Sequence, residues 1–239
     1  MPNSDYPNIY NISDGTEVAL PIRYTRGSNL VATFLTDLKP ADQLLEGTGL
    51  QAVPQEDGQA VVLLLVYEYQ STDLRPYNEV GLAIMAVSPK DPVPGVYITD
   101  LPVTQDHTNR AGREIWGFPK FVTEIDITQE GKKFGVVVGD SESGQICSME
   151  GTRGASLPVL PSDIFTLTIL DGTVLRERVQ IRFPSHLSSG EDFLLTVGDS
   201  SHQMASNLRL LGLDRATPLM VQYSPVFQSL LFEGVPVPV

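Results

Sequence analysis

Apolar residues along this chain come in short runs divided by clusters of Gly, Pro, Asp, Asn and Ser. Most runs alternate in and out or are continuously apolar, and few repeat every third or fourth residue, which predicts strands. After an irregular polar lead-in over residues 1–16, strands are expected at 17–24 and 30–36. Residues 60–69 form a longer run whose Val61-Val62-Leu63-Leu64-Leu65-Val66 core does not alternate, as for a strand buried on both faces. Pro76 turns the chain into an apolar run over 80–87, and Pro89, Pro92 and Pro94 punctuate a loop before a strand at 96–99. Further strands are predicted at 122–127, 134–138, 145–149, 164–170, 173–182 and 193–197. Asp171-Gly172 joins two of them as a two-residue hairpin, and an apolar segment at 219–232 returns to the sheet.

Helical spacing appears in three places. Residues 40–45 form a short helix with Thr36 or Asp37 as cap, Pro40 in the first turn and Gly47 just past the end. Residues 104–115 make about three turns with Thr104 as cap. Residues 202–211 follow Ser200 or Ser201 and close on Gly212, with Met204, Leu208 and Leu211 on one face. Many short strands, three helices and no strand–helix–strand rhythm describe a mainly antiparallel β protein, and closure into a barrel would remove its exposed edges. No linker or internal repeat divides the chain, so residues 1–239 are expected to form one domain.

Charge changes the picture of partners. Sixteen Lys and Arg against 29 Asp and Glu give a formal charge of −13, which repels nucleic-acid phosphates and anionic membranes. No apolar stretch is long enough to span a bilayer. Residues 1–10 lack the basic and apolar regions of a secretory leader. A single cysteine, Cys147, fits a reducing, cytoplasmic compartment and a buried thiol without a role. Three scattered histidines show no metal-ligand spacing, so neither metal nor cofactor is expected.

The candidate chemistry sits at Gly112-Arg113-Glu114-Ile115-Trp116-Gly117-Phe118-Pro119-Lys120. Pro119 fixes its own φ and pushes Phe118 towards extended backbone, while Gly117 permits a reversal between helix and strand. Lys120 is thereby set on a stiff corner beside aromatic rings. Desolvation there penalises the ammonium form and favours a free amine that can attack a carbonyl. The bland alternative is a surface lysine with its stem laid along Trp116 and Phe118.

Gly-Arg-Glu-x-x-Gly-x-Pro-Lys resembles the active-site signature of the acetoacetate decarboxylase family, whose lysine forms a Schiff base with a β-keto acid. Tyr77-Asn78-Glu79-Val80-Gly81 likewise resembles the family's Tyr-x-Glu-x-Gly segment. The resemblance implies an acetoacetate decarboxylase-like closed β-barrel, usually oligomeric, with Lys120 as nucleophile and Glu79 as its acid–base partner. It implies a small keto acid as substrate, with Tyr77, Arg26, Trp116, Phe118, Phe121 and Glu68 around it. Arg26 would clamp the substrate carboxylate against the unfavourable net charge. Three departures stand out, the first being that the family's arginine position falls near Gly27, one residue from Arg26. Phe121 occupies the place of a second lysine, and Leu64 falls where another glutamate is usual, with Glu68 four residues on. Arg113 and Glu114 are expected to hold the helix in place, and His107 to be solvated. Decarboxylation is the first expected reaction; aldol condensation with dehydration of keto acids and non-catalytic ligand binding are the alternatives.

Overall fold

The computed structural model describes residues 8–140, 142 and 144–239. The first strands are β1 (Asn8–Asn11), β2 (Glu17–Leu20) and β3 (Ile22–Asp37), followed by helix α1 (Leu38–Leu44) and the two-residue β4 (Gln51–Ala52). Three long strands come next, β5 (Gln59–Thr72), β6 (Tyr77–Ser88) and β7 (Asp91–Val103), and then α2 (Asp106–Trp116). Short strands follow: β8 (Lys120–Val122), β9 (Ile125–Glu130), β10 (Lys133–Asp140), β11 (Gly144–Thr152) and β12 (Ser156–Val159). The chain ends with β13 (Asp163–Leu170), β14 (Thr173–Ile181), β15 (Ser185–Ser189), β16 (Phe193–Val197), α3 (Gln203–Leu210), β17 (Met220–Ser224) and β18 (Ser229–Pro236). No helix among the described residues is long and apolar enough to cross a membrane.

The largest sheet closes on itself. β3, β18, β14, β13, β7, β6 and β5 pair in that order and β5 returns to β3, a ring of seven strands. It is not a clean barrel. One seam, β7 to β13, is parallel and rests on Thr166 opposite Val96 and Leu167 opposite Tyr97. β3 is long enough to pair with β18 at one end and with β17 at the other, so β17, β15 and β12 branch away from the ring.

A second sheet, ordered β16-β11-β10-β9, covers the outer face of the ring together with α1 and α3. This explains the unbroken apolar run in β5. Val62, Leu64 and Val66 pack outward into that core, whereas Leu63, Leu65 and Tyr67 face the inside of the ring. Residues 17–24 and 30–36 do not form two strands as expected. The chain breaks at Leu20-Pro21, and Arg26-Gly27, which reads as a turn, is instead a bulge within the continuous β3. Residues 8–11 of the expected irregular lead-in pair with β2; residues 1–7 lie outside the described residues. Pro92 and Pro94 lie in β7 rather than in a loop, where the strand has not yet met β13 and the missing N–H groups cost no ladder bond on that side.

The hairpin forms as the sequence indicates, with Leu170 opposite Thr173 and both Asp171 (φ 48°) and Gly172 (φ 76°) left-handed. Asp37 precedes α1 as expected, but the caps of the other two helices differ. Gln105 rather than Thr104 precedes α2, because the Thr104 hydroxyl accepts from the Asn78 amide instead. His202 caps α3, its Nδ1 accepting from the Met204 amide at 3.1 Å. Cys147 is buried in the outer core, and burial pushes its thiol up to about 12.

Candidate active site

All seven ring strands contribute to a cavity of about 450 Å³ inside the ring. α2 packs against β7, β8, β13 and β18. Its buried residues Thr108, Ala111, Gly112, Ile115 and Trp116 face the ring. The Trp116 indole donates to the Phe232 carbonyl of β18 at 3.0 Å, which ties the helix end to the sheet.

The corner after α2 is built by local chemistry. Gly117, at φ 71°, takes the left-handed position that ends the helix, its N–H donating to the Arg113 carbonyl while that of Phe118 donates to Gly112. A Cβ on Gly117 would lie 2.2 Å from the Ile169 carbonyl oxygen, so only glycine fits. Lys120 then opens β8 beside Leu101, and its carbonyl accepts from Arg113 Nη1 at 2.9 Å. Glu114 accepts from the Ser13 amide (2.7 Å) and hydroxyl (2.6 Å). Both side chains thus hold backbone together.

Inside the ring, Lys120 Nζ lies 2.7 Å from Glu79 Oε2, and the two side chains are only 5% and 9% exposed. Nζ also donates to the Thr108 hydroxyl at 3.1 Å. Thr108 and Gly112, one turn apart on α2, form the track along which the lysine arm runs. The ammonium sits 5.2 Å from the Tyr77 ring centre and 5.9 Å from that of Phe118. The surroundings thus combine the expected rings and the Glu79 carboxylate with the Thr108 hydroxyl, which the sequence did not indicate.

Tyrosines surround Glu79. Tyr69 donates to Glu79 Oε1 at 3.4 Å and packs against Tyr24, Tyr67 and Tyr77 with ring centres 4.4–5.3 Å apart or linked through one another. Burial first, and the Glu79 charge second, push the hydroxyls of Tyr24, Tyr67, Tyr69 and Tyr77 upward, so all four remain donors at neutral pH. Tyr69 and Thr108 were not singled out from the sequence. The signal for Tyr69 was strand alternation: Tyr67 and Tyr69 share a face of β5, as Tyr77 and Glu79 do on β6. Thr108 gave no such signal.

The other expected contacts divide. Trp116 and Phe118 line the cavity, but Tyr77 touches the lysine from behind Tyr69 without reaching the cavity wall. Phe121 follows Lys120 on a strand and so points the opposite way, stacking on the His202 ring at 4.1 Å. Glu68, between Tyr67 and Tyr69, also faces away and accepts from the Ser28 hydroxyl at 3.1 Å. Arg26 is turned to the surface by its bulge and does not line the cavity. His107 is half-buried, not solvated, and its ring bonds the Leu74 carbonyl. Among the described residues, only Lys120, Glu79 and Asp163 bring charge to the lining. Among the described residues no group of three or more His, Cys, Asp or Glu comes together to hold a metal.

A second buried carboxyl lies beside this site. Glu177 on β14 is fully buried and accepts from the Thr166 hydroxyl at 2.7 Å. Thr166 itself lines the cavity. Burial pushes Glu177 up to about 7, against the opposing pull of the Thr166 and Thr168 hydroxyls.

Comparison with known proteins adds to this geometry. Residues 10–180 match the family model described as acetoacetate decarboxylase. No curated protein sequence matches the chain. Among solved structures, the acetoacetate decarboxylase of Legionella pneumophila is similar with a TM-score of 0.67 at 16% identity, covering 100% of this chain and 92% of that one. An acetoacetate decarboxylase-like enzyme from Sphingomonas wittichii gives 0.68 at 14% identity, with 92% and 94% covered. The enduracididine biosynthesis enzyme MppR, complexed with the condensation product of pyruvate and imidazole 4-carboxaldehyde, gives 0.67 at 16% identity and 98% of both chains. At these identities the structural likeness speaks for the fold.

Proposed function

The chain belongs to the acetoacetate decarboxylase family, and from that premise we propose that it is a Schiff-base-forming enzyme that decarboxylates a β-keto acid. The observation that carries this reading is the Lys120–Glu79 contact of 2.7 Å, sealed from solvent inside the ring. A lysine amine must lose a proton before it attacks a carbonyl, and Glu79 is placed to take it. Attack of Nζ on the substrate ketone gives a carbinolamine. Glu79 returns the proton to its hydroxyl, which leaves as water, and a protonated imine remains. That imine accepts the electron pair released when the bond to the carboxylate breaks and CO2 departs. The resulting enamine takes a proton on carbon, and water adds to the imine to release the ketone and restore Lys120.

The charge pattern of the cavity supports decarboxylation over reactions that keep the carboxylate. Among the described residues no arginine lines the cavity, and Arg26 lies outside it. A retained carboxylate would find only Lys120 as a cation, whereas one lost as CO2 relieves its own desolvation. A cavity of about 450 Å³ also has room for two carbonyl partners, which favours aldol condensation with dehydration as the second reading. The likeness to MppR bound to a pyruvate-derived condensation product supports it as well.

Incubation with acetoacetate and borohydride, followed by peptide mapping, tests the proposal. A reduced adduct on Lys120 with CO2 release is the expected result. An adduct with pyruvate plus an aldehyde, without CO2, selects the second reading; absence of any adduct leaves a non-catalytic binding protein.

A further inference from the structure

We propose that the substrate carries an extended apolar tail in place of the compact body of acetoacetate or pyruvate; this rests on the imine chemistry proposed above. The first reason is size. A cavity of about 450 Å³ equals roughly fifteen times the volume share of a water molecule in the liquid. It falls in the range of pockets that enclose drug-sized ligands. A four-carbon keto acid at Lys120 leaves most of the wall unfilled.

The second reason is the wall itself. Beyond the lysine one side of it is aliphatic, made of Val31, Leu63, Leu65, Met85, Ile98 and Ile181, drawn from five different ring strands. Charge is confined to the two ends: Lys120 and Glu79 at the buried end, and exposed Asp163, held by Arg178 at 3.5 Å, at the other. An anionic group midway along that aliphatic side would give up its water without finding a cation, because the polar lining residues there, Asn29, Thr33 and Gln222 among them, are uncharged. An alkyl or aryl tail instead gains free energy from each carbon that leaves water.

The third reason is the entrance. Leu160 and Phe183 both line the cavity and are 84% and 38% exposed. Large apolar side chains at an opening favour entry of an apolar group along them. The compound that fits is therefore a 3-oxo acid with a tail of several methylenes or a ring, yielding a methyl ketone of the same length less one carbon.

Product-like methyl ketones provide the test, because they are stable and form the same imine. The protein is titrated with acetone, 2-heptanone and 2-undecanone under cyanoborohydride, and the adduct on Lys120 is quantified. Each buried methylene is expected to lower the half-saturating concentration about three- to fourfold, so 2-heptanone, four methylenes longer, should half-saturate at a concentration about 80- to 250-fold below that of acetone. If adducts form with equal half-saturation at every length, the tail proposal is overturned while the imine reading stands. If no ketone traps on Lys120, the imine reading fails. The tail is then judged by quenching of Trp116, the single tryptophan, in the Lys120→Ala variant. Length-dependent quenching by the ketones retains an apolar-ligand cavity, and its absence overturns that too.

Discussion

Gly112 lies directly beneath the arm of Lys120: a Cβ on it would come within 2.6 Å of Lys120 Cδ and 2.7 Å of Cε. The glycine in the motif is thus a gap in α2 through which the lysine reaches Thr108 and Glu79. Gly112→Ala is expected to keep the fold, since alanine favours the helix by about 1 kcal/mol where overpacking costs about 1–3 kcal/mol. Displacing the amine by an ångström is expected to slow adduct formation about a hundredfold. Borohydride trapping alongside circular dichroism checks both halves.

Glu79→Gln preserves shape and burial but cannot accept the lysine proton. Imine formation is expected to fall by a factor of about 10²–10⁴. Pre-steady-state trapping measures it. A rate unchanged within a factor of three would remove Glu79 from the mechanism.

The same pair makes a prediction about stability. Removing one partner of a buried ion pair leaves the other charge uncompensated, so Lys120→Met or Glu79→Leu alone is expected to cost about 3–5 kcal/mol. The double variant, with apolar groups at both positions, is expected to lie close to wild type. Urea unfolding of the three variants closes the cycle. This outcome would mean that the pair is kept for its chemistry and not for the fold.

Gly117→Ala attacks the corner by another route. A left-handed alanine whose Cβ meets the Ile169 carbonyl must shift the end of α2, and a loss of about 2–3 kcal/mol is expected. The midpoint of urea unfolding should fall without change in slope.

Glu177 supplies the pH dependence. The Thr168 hydroxyl contacts both the Trp116 carbonyl, which only accepts, and Glu177 Oε1 at 2.7 Å. Its one hydrogen cannot serve both acceptors at once, and a proton on Glu177 relieves that shortage of donors. The folded value of about 7 lies above the ordinary 4.5. The native state therefore holds an extra proton between those values, and stability declines as pH rises through 7. Wild type is expected to lose about 3 kcal/mol between pH 5 and pH 8 that Glu177→Gln does not lose. Chemical denaturation at the two pH values measures the difference.

Much was legible before any fold was in hand, and it was the part that depends on near neighbours. Asp171-Gly172 dictates its hairpin, Gly117 and Pro119 dictate the corner, and the motif around Lys120 marks the family. Arg26 and Glu68 were misplaced for one reason: a bulge rotates the first, and a single position of alternation turns the second to the far side of β5. Neither error shows in composition or spacing.

The chain by itself determined that it would be strand-rich, where its tight turns fall and which lysine is held on a rigid corner, because those follow from backbone geometry within a few residues. The motifs already paired Glu79 with Lys120; only the tertiary structure decided that Tyr69 and Thr108 join them and that Phe121 does not. It also decided which apolar face encloses space. Strands buried on both sides carry the same aliphatic residues towards a packed core and towards an open cavity, and the closure of seven strands into a ring separates the two.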